Sequence, residues 1–382
     1  GNVSASTAFS FTYDNQISTP TITAVTDDVL PVTGNVANGG YTNDTNLQIS
    51  GNAEANSTVT LYNGASVIGT ATANGAGAWS INSGLLSDGT QYSFTAIAVD
   101  AAGNTSAASA AYVVNVDTGP PSAVTLTLGT GIADGATATE ATAATGAVSI
   151  VAPAGSTVSV SFSRSQGGSV TKNLIGSGTA QAVVLSSADL LTLGDGVINV
   201  AAVATDSAGN SSTAATTAFT LDTAAPVAAA LALQADTGSS NRDGITSNAT
   251  VLVSQLEANA TWQVSTNSGS NWSTGSGSSF SLAPGSYNAG QVQVRQIDLA
   301  GNVSAAATNS QAWVVDTTAP QFLSSGVAAA INENSGANQL IYTPQMAATE
   351  ALTGGVLRYA ISGGDAAGFS VGTFNGAVRL LA

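Results

Sequence analysis

A five-residue phrase returns about every hundred residues, and it constrains everything else the chain can do. It reads Asp100-Ala-Ala-Gly103-Asn104, then Asp206-Ser-Ala-Gly209-Asn210, then Asp298-Leu-Ala-Gly301-Asn302. Each copy is followed, 16 to 18 residues after its Asp, by a second phrase: Asp117-Thr118-Gly-Pro120, Asp222-Thr223-Ala-Ala-Pro226 and Asp316-Thr317-Thr-Ala-Pro320. Self-similarity at a fixed period is the signature of an array of like domains. The opening Gly1-Asn2, with Asp14 twelve residues on, predicts the tail of one more copy. The expected organisation is a repeat tail over 1–19, whole domains over 20–118, 119–224 and 225–318, and a partial domain over 319–382.

The run before each phrase alternates. Tyr92, Phe94, Ala96 and Ala98 hold one phase, Ile198, Val200, Ala202 and Ala204 the same phase in the next copy, and Val292 and Val294 in the third. A period of two predicts one strand used three times. After each Gly-Asn turn, Ala111 to Val116, Thr217 to Leu221 and Gln311 to Val315 predict the returning strand of a closing hairpin. Upstream in the first domain, Leu47 to Ser50, Thr58 to Tyr62, Val67 to Ala71 and Ala78 to Ile81 add four strands. About seven short strands per hundred residues predict an all-β fold of tandem immunoglobulin-like β-sandwiches in an elongated array. Tyr92, close after Asp88-Gly89, is placed for a tyrosine corner. The four tryptophans sit in different domains or in mid-strand, which predicts core or sheet packing. Pro120, Pro226 and Pro320 stiffen the linkers.

Charge then narrows the function. Only 7% of the 382 residues are charged, and the net charge is −16. With six Lys and Arg, no basic patch for nucleic acid can form. With no Cys and no His, disulfides, thiolate or imidazole metal sites and His-based catalytic triads are excluded. No carboxylate pair sits in a recognisable hydrolase context, so no enzymatic activity is expected. No apolar run reaches the 18 or so residues of a membrane span.

Of the 22 acids, 17 are Asp, and by topology 15 of these fall at domain poles, Asp189 and Asp365 being the exceptions. A seven-strand sandwich places its last hairpin loop at the entry pole and its last strand's end at the exit pole. The first and fifth loops, carrying Asp27, Asp28, Asp44 and Asp88 in domain one, Asp134 and Asp195 in domain two, and Asp236 and Asp243 in domain three, join the exit pole. Opposed carboxylates repel. With so few basic side chains, a hard divalent cation with oxygen ligands is the natural neutraliser, whereas turn capping by Asp and Asn is the alternative that needs no ion.

Several stretches carry a family resemblance. Thr19-Pro20, Asp27-Asp28-Val, Gly34-Asn-Val-Ala-Asn-Gly39, Thr42-Asn43-Asp44, Gly51-Asn-Ala-Glu54, Ala78-Trp79-Ser80 and Asp88-Gly89 join the Asp100 phrase in resembling the bacterial immunoglobulin-like repeats of very large secreted adhesins, biofilm-associated proteins among them. Asp236-Thr-Gly-Ser-Ser, Asp243-Gly-Ile-Thr and Thr261-Trp262 with Asn271-Trp272 are similar to another subtype. Ile331-Asn-Glu333-Asn334 with Tyr359-Ala-Ile-Ser-Gly-Gly364 is similar to the first half of a cadherin-like domain.

The resemblance implies a stalk that holds an adhesive domain away from the cell. It implies Ca2+ at domain junctions, one-step type I secretion, and an extracellular, cell-surface or outer-membrane-attached location. Its partners would be the neighbouring repeats, and a host or abiotic surface reached through other domains. Strand topology then predicts the junctions: Asp117 with Asp206 and Asn210, completed by Asp27, Asp28 or Asp44; Asp222 with Asp298 and Asn302; Asp14 with Asp100 and Asn104; and Asp316 with Glu333. Two other readings stay open from the residues: glycan- or protein-binding modules, and accessory domains of an extracellular enzyme. Near-equal repeats favour the spacer.

A string of such domains at roughly 40 Å each gives a particle on the order of 150 Å long. A single globule of this length has a radius near about 21 Å. Small-angle scattering from the whole chain is expected to give the long particle, and a compact one overturns the array.

Overall fold

The computed structural model describes residues 6–7, 13–237 and 240–318, with the backbone of Leu340–Tyr342, Phe369–Val371 and Val378–Leu380. The chain divides into two compact units, Gly1–Leu221 and Asp222–Ala382.

Domain one contains β1 (Thr21–Asp27), β2 (Gly34–Asn35), β3 (Gly40–Thr42), β4 (Gln48–Asn52), β5 (Thr58–Asn63), β6 (Ser66–Thr72), β7 (Ala78–Asn82), β8 (Thr90–Val99) and β9 (Tyr112–Val116). One sheet has the order β2-β1-β4-β7 and the other β3-β9-β8-β5-β6. The chain changes sheets between β2 and β3, and β3 runs parallel to the last strand, β9. The predicted alternation is realised: Phe94, Ala96 and Ala98 are fully buried and meet Leu47, Ile49, Val59, Leu61 and Trp79 in one core. Each large aliphatic or aromatic side chain there contributes about 1.5–3 kcal/mol by leaving water. The Ser87 amide donates to the Tyr92 hydroxyl at 2.7 Å, fixing the turn ahead of β8.

The return from β8 to β9 is longer than a tight hairpin. Val99 bridges Thr105 directly, but the chain then crosses to β9 as an irregular segment. Ser106 and Ser109 hold it: their hydroxyls accept from the Ala98 and Ala96 amides at 2.9 and 3.0 Å, and their amides donate to the carbonyls of the same two residues. Ser212 on Ala204 and Ser304 on Gln296 repeat the first of these pairs. Side-chain hydroxyls thus satisfy strand amides that no neighbouring strand reaches.

Domain two contains β10 (Thr125–Leu128), α1 (Ala138–Ala141), β11 (Val148–Val151), β12 (Thr157–Arg164), β13 (Ser169–Ile175), β14 (Gln181–Val183), α2 (Ser187–Leu193), β15 (Gly196–Thr205) and β16 (Ala215–Leu221). Its sheets are β10-β11-β14 and β13-β12-β15-β16. Where domain one has Asp27-Asp28, domain two has α1, capped reciprocally by Thr137 and Glu140. The second helix is capped the same way by Ser186 and Asp189, and Lys172 reaches Asp189 at 2.6 Å.

Domain three contains β17 (Ala230–Leu233), β18 (Ile245–Thr246), β19 (Thr250–Ser254), β20 (Thr261–Ser265), β21 (Ser273–Thr274), β22 (Ser279–Ser281), β23 (Gly285–Tyr287), β24 (Gln293–Ile297), β25 (Ala307–Thr308) and β26 (Trp313–Val315). The sheets are β17-β19-β22, β18-β26-β23 and β21-β20-β24-β25, and β18 runs parallel to β26 as β3 does to β9. The sequence predicts three copies of one strand, and the third departs inside. Gln296 stands where the others have Ala98 and Ala204, and it is fully buried. Its Nε2 donates to the Val227 and Gln255 carbonyls, and its Oε1 accepts from the Glu257 amide. A buried amide with every contact met takes the place of apolar packing.

Trp79, Trp262 and Trp313 are buried. Trp272 instead lies under the Arg295 guanidinium at 4.2 Å, while Arg295 donates twice to Gln263. Beyond domain three, Leu340–Tyr342, Phe369–Val371 and Val378–Leu380 form a three-stranded sheet with the last of these in the middle.

Burial alone would raise the Asp189 carboxyl. The hydrogen bonds from Lys172 and Ser186, with the Lys172 charge, override it and hold the group down at about 2. A depressed carboxylate stabilises the fold above its unfolded value, and that contribution is lost as pH falls from about 4 towards 2. Its size is on the order of 2 kcal/mol. Hydrogen exchange on β12 and β13 is expected to show Asp189→Asn weakening domain two at pH 6, with the difference from the parent vanishing near pH 2.

Candidate functional site

Each Asp-x-Ala-Gly-Asn phrase folds into the same turn. Asp100 Oδ1 accepts from the Ala102 and Asn104 amides at 2.9 and 2.8 Å. Asp206 does so with Ala208 and Asn210, and Asp298 with Gly301 and Asn302. The glycine holds φ near +92°, +94° and +103° in the three copies, a conformation that side chains other than glycine's disfavour. The Asn104 amide holds the Asp100 carboxyl below the usual carboxylate range, and neighbouring backbone amides add to the effect.

The asparagine side chain then does two things at once. Its Nδ2 donates to its own aspartate, at 2.7 Å in Asn104, 3.1 Å in Asn210 and 2.9 Å in Asn302. The same nitrogen donates to the backbone carbonyl of the aspartate that ends the previous repeat. Asn104 reaches Asp14 at 3.2 Å, Asn210 reaches Asp117 at 2.8 Å and Asn302 reaches Asp222 at 3.0 Å. The topological expectation paired these residues through a shared cation. The structure brings the same residues together through an amide group lying between two oxygens.

The linker aspartates are themselves turn residues. Asp117 Oδ1 accepts from Gly119, Asp222 Oδ1 from Ala224, and Asp316 Oδ1 from Thr318. The Asp117 and Asp316 amides donate to Thr42 and Thr246, tying each exit to its own domain's third or equivalent strand. Glu333, the expected partner of Asp316, lies outside the described residues.

Asp27, Asp28, Asp44 and Asp88 lie in the loops at the exit end of domain one, where Asp27, Asp44 and Asp88 also cap local turns. Asp27 and Asp44 are buried. Asp27 accepts from the Val29 amide and the Thr42 hydroxyl, and Asp44 from the Asn46 and Asp28 amides. Asp88 accepts from the Thr118 amide at 2.7 Å, and Thr118 holds its carboxyl below the usual range. Asp28 is exposed.

Among the described residues, a single group of three acids comes close enough to hold a metal ion: Asp14, Glu54 and Asp100, with one oxygen of each within 4.8 Å of the others. Glu54 was not an expected ligand. The signal was present, since Glu54 sits in the turn between β4 and β5, a loop at the same pole as the β8 turn. The matching positions follow from the turn bond that Ser57 makes to Glu54, Ser156 to Pro153, and Ala260 to Glu257. Domain two therefore has proline where domain one has the third carboxylate. A shallow groove of about 330 Å³ on the outer face of β12, β15 and β16, reaching Ser163, Asn199, Ala201, Thr216 and Ala218, has no ionisable lining.

Residues 16–118 match the family described as bacterial Ig-like domain. No curated protein matches the chain. Among solved structures, it is similar to one from a study of host cell surface retention of a 1.5-MDa bacterial ice-binding adhesin, at 18% identity over 80% of this chain and 99% of that one, TM-score 0.31. Fibronectin(III)-like modules of CbhA from Clostridium thermocellum align at 16% identity over 52% of this chain and 94% of theirs, TM-score 0.30. The BSP domain of a biofilm-associated protein aligns at 18% identity over 55% of this chain and 30% of that one, TM-score 0.18. Among the described residues, no helix is long and apolar enough to cross a membrane.

Replacing Asn302 by Ala removes both bonds of one clasp and leaves the Asp222 carbonyl without its donor. A net cost of about 1–2 kcal/mol is expected. Asn302→Asp, which sets a carboxylate against Asp298 Oδ2 and the Asp222 carbonyl, is expected to cost more. Hydrogen-exchange protection around β24 and the Asp298 turn is the measurement. Equal protection in all three proteins would show the clasp to be idle.

Proposed function

We propose that this chain, whose residues 16–118 are a bacterial Ig-like domain, is a stalk segment of a bacterial cell-surface adhesin. One observation carries the reading. The surface residues that repeat most faithfully are occupied in joining one domain to the next, through the asparagine that clasps the preceding linker carbonyl in all three copies. A spacer must transmit force along its backbone, and a bond from each entry loop to the previous exit does so. The role needs no catalytic group. An extracellular setting agrees with a chain lacking cysteine that would cross a secretion channel unfolded.

Calcium belongs to the proposal at the joint ahead of domain one. Asp14, Glu54 and Asp100 fit such an ion: three carboxylate oxygens within 4.8 Å of one another suit a centre whose ligands lie about 2.3–2.6 Å away. Asp14 arrives from the preceding linker, Glu54 from the turn after β4, and Asp100 from the turn after β8. An ion there would join linker to domain and relieve the repulsion of three acids. Extracellular modules of this kind bind calcium at about 10⁻⁴–10⁻³ M, so the joint would fill outside the cell and empty in cytosol.

Calorimetric titration of the whole chain tests this. Calcium is expected to bind in that range and to raise the melting temperature of domain one. Glu54→Gln is expected to weaken binding at least tenfold. Unchanged calcium binding in Glu54→Gln removes the site, and no binding in the parent removes calcium from the proposal.

A further inference from the structure

The joint between domains one and two is built from different chemistry than the joint ahead of domain one. Its third carboxylate is replaced by Pro153. The Asp206 carboxylate accepts from two backbone amides and from Asn210, as Asp100 does in its own turn, so the turn itself is not the difference. What fills the space is apolar. The loop after β1 carries Pro31 and Val32 against the Asp206 turn of domain two. A methyl added at Gly209 would stand 2.9 Å from Val32 Cγ2 and 3.1 Å from Pro31 Cγ. Ala208 in this turn is 1% exposed, and Gly209 is buried with it.

We infer that domains one and two form a single strut whose joint is set by Pro31 and Val32 lying against Gly209 and by the Asn210 clasp on Asp117, with no cation required. The inference rests on the stalk reading and assigns regulation within it: calcium acts at the Asp14 joint, and the next joint is permanently closed. The physical reason is the difference in charge. Three converging carboxylates repel until an ion arrives, whereas Pro31 and Val32, both still exposed at their outer sides, bring uncharged carbon atoms onto the buried Gly209 backbone and leave no charge there to neutralise.

The chain has no cysteine, so two introduced thiols report on one joint alone. Spin labels at Val67→Cys on β6 and Ile175→Cys on β13, both exposed, span the two domains. Electron–electron distance measurements on the whole chain are expected to give one narrow distribution, the same in millimolar calcium, in chelator and in the Glu54→Gln background. Ala208→Asp is expected to broaden it at least twofold. Gly209→Ala is expected to broaden or shift it, while Gly103→Ala, which carries the same turn strain at φ +92° in a turn away from this joint, leaves it unchanged. Hydrogen exchange on β8 and β15 confirms that both domains stay folded in each variant. A distribution that is broad in chelator and sharpens with calcium overturns the inference, as does a narrow one in Ala208→Asp with both domains folded. Loss of calcium binding at the Asp14 joint would touch only the stalk's calcium, because the label pair does not report on it.

Discussion

The interaction on which the rest depends is an aspartate accepting the amides of its own turn. Asp100, Asp206 and Asp298 each draw two backbone N–H groups onto one carboxylate oxygen. Bonds to a charged acceptor are roughly twice as strong as neutral ones, so the turn is a firm platform. It leaves the second oxygen to fix the asparagine, and a fixed asparagine can reach across to another repeat without losing much side-chain entropy on doing so. Take the aspartate away and the asparagine has no anchor, the linker carbonyl has no donor, and the joint has only its contacts. The glycine follows from the same geometry, because the turn needs φ near +90°.

Behind the turn, the domains solve their interiors differently. Domains one and two use small, fully buried alanines at the end of the long strand before the turn. Domain three inserts Gln296 at that place and divides its core into two smaller groups, one around Trp313 and one around Trp262. The amide bridges the Val227 linker carbonyl and the β19–β20 turn at Gln255 and Glu257, so it couples the entry of the chain to the turn beside the joint. That coupling is directional and geometric, where alanine packing is not, and removing it would leave three backbone groups without this partner.

The period-two pattern made the strands legible. Tyr92 to Ala98 and Ile198 to Ala204 lie on β8 and β15 with the expected residues inward, and Tyr92 makes its corner bond. The Asp–Asn phrase made the joints legible as places. Their chemistry was less so, because a carboxylate beside an asparagine reads equally as ligands around an ion or as a hydrogen-bonded turn. In the structure Asp27, Asp44, Asp88 and Asp117 each accept a backbone amide, a bond that either reading accommodates. The serines of Gly-Asn-x-Ser were visible in all three copies, but their purpose depends on strand amides that only the folded return segment exposes. Helix α1 was not legible at all: four residues carry too little periodicity, and its Thr137–Glu140 capping box is the one local trace. Gln296 breaks the apolar phase at a single position, which a pattern tolerates and a core does not.

Pro153 shows how one substitution separates two kinds of joint. The turn after the second strand of the sandwich keeps its backbone bond in each domain, whether the residue is Glu54, Pro153 or Glu257. The fold is therefore indifferent to that side chain, and the joint is not. In domain one the side chain is Glu54, which meets Asp14 and Asp100, and three acids this close repel; Glu257 in domain three forms no such group among the described residues. With proline, the negative charge at the joint is reduced to groups already bonded to amides, and apolar atoms from the opposing loop can settle on the turn. An array that mixes both kinds can set stiffness joint by joint without altering a single strand. The variable sits in the loops, where sequence change costs the sandwich least.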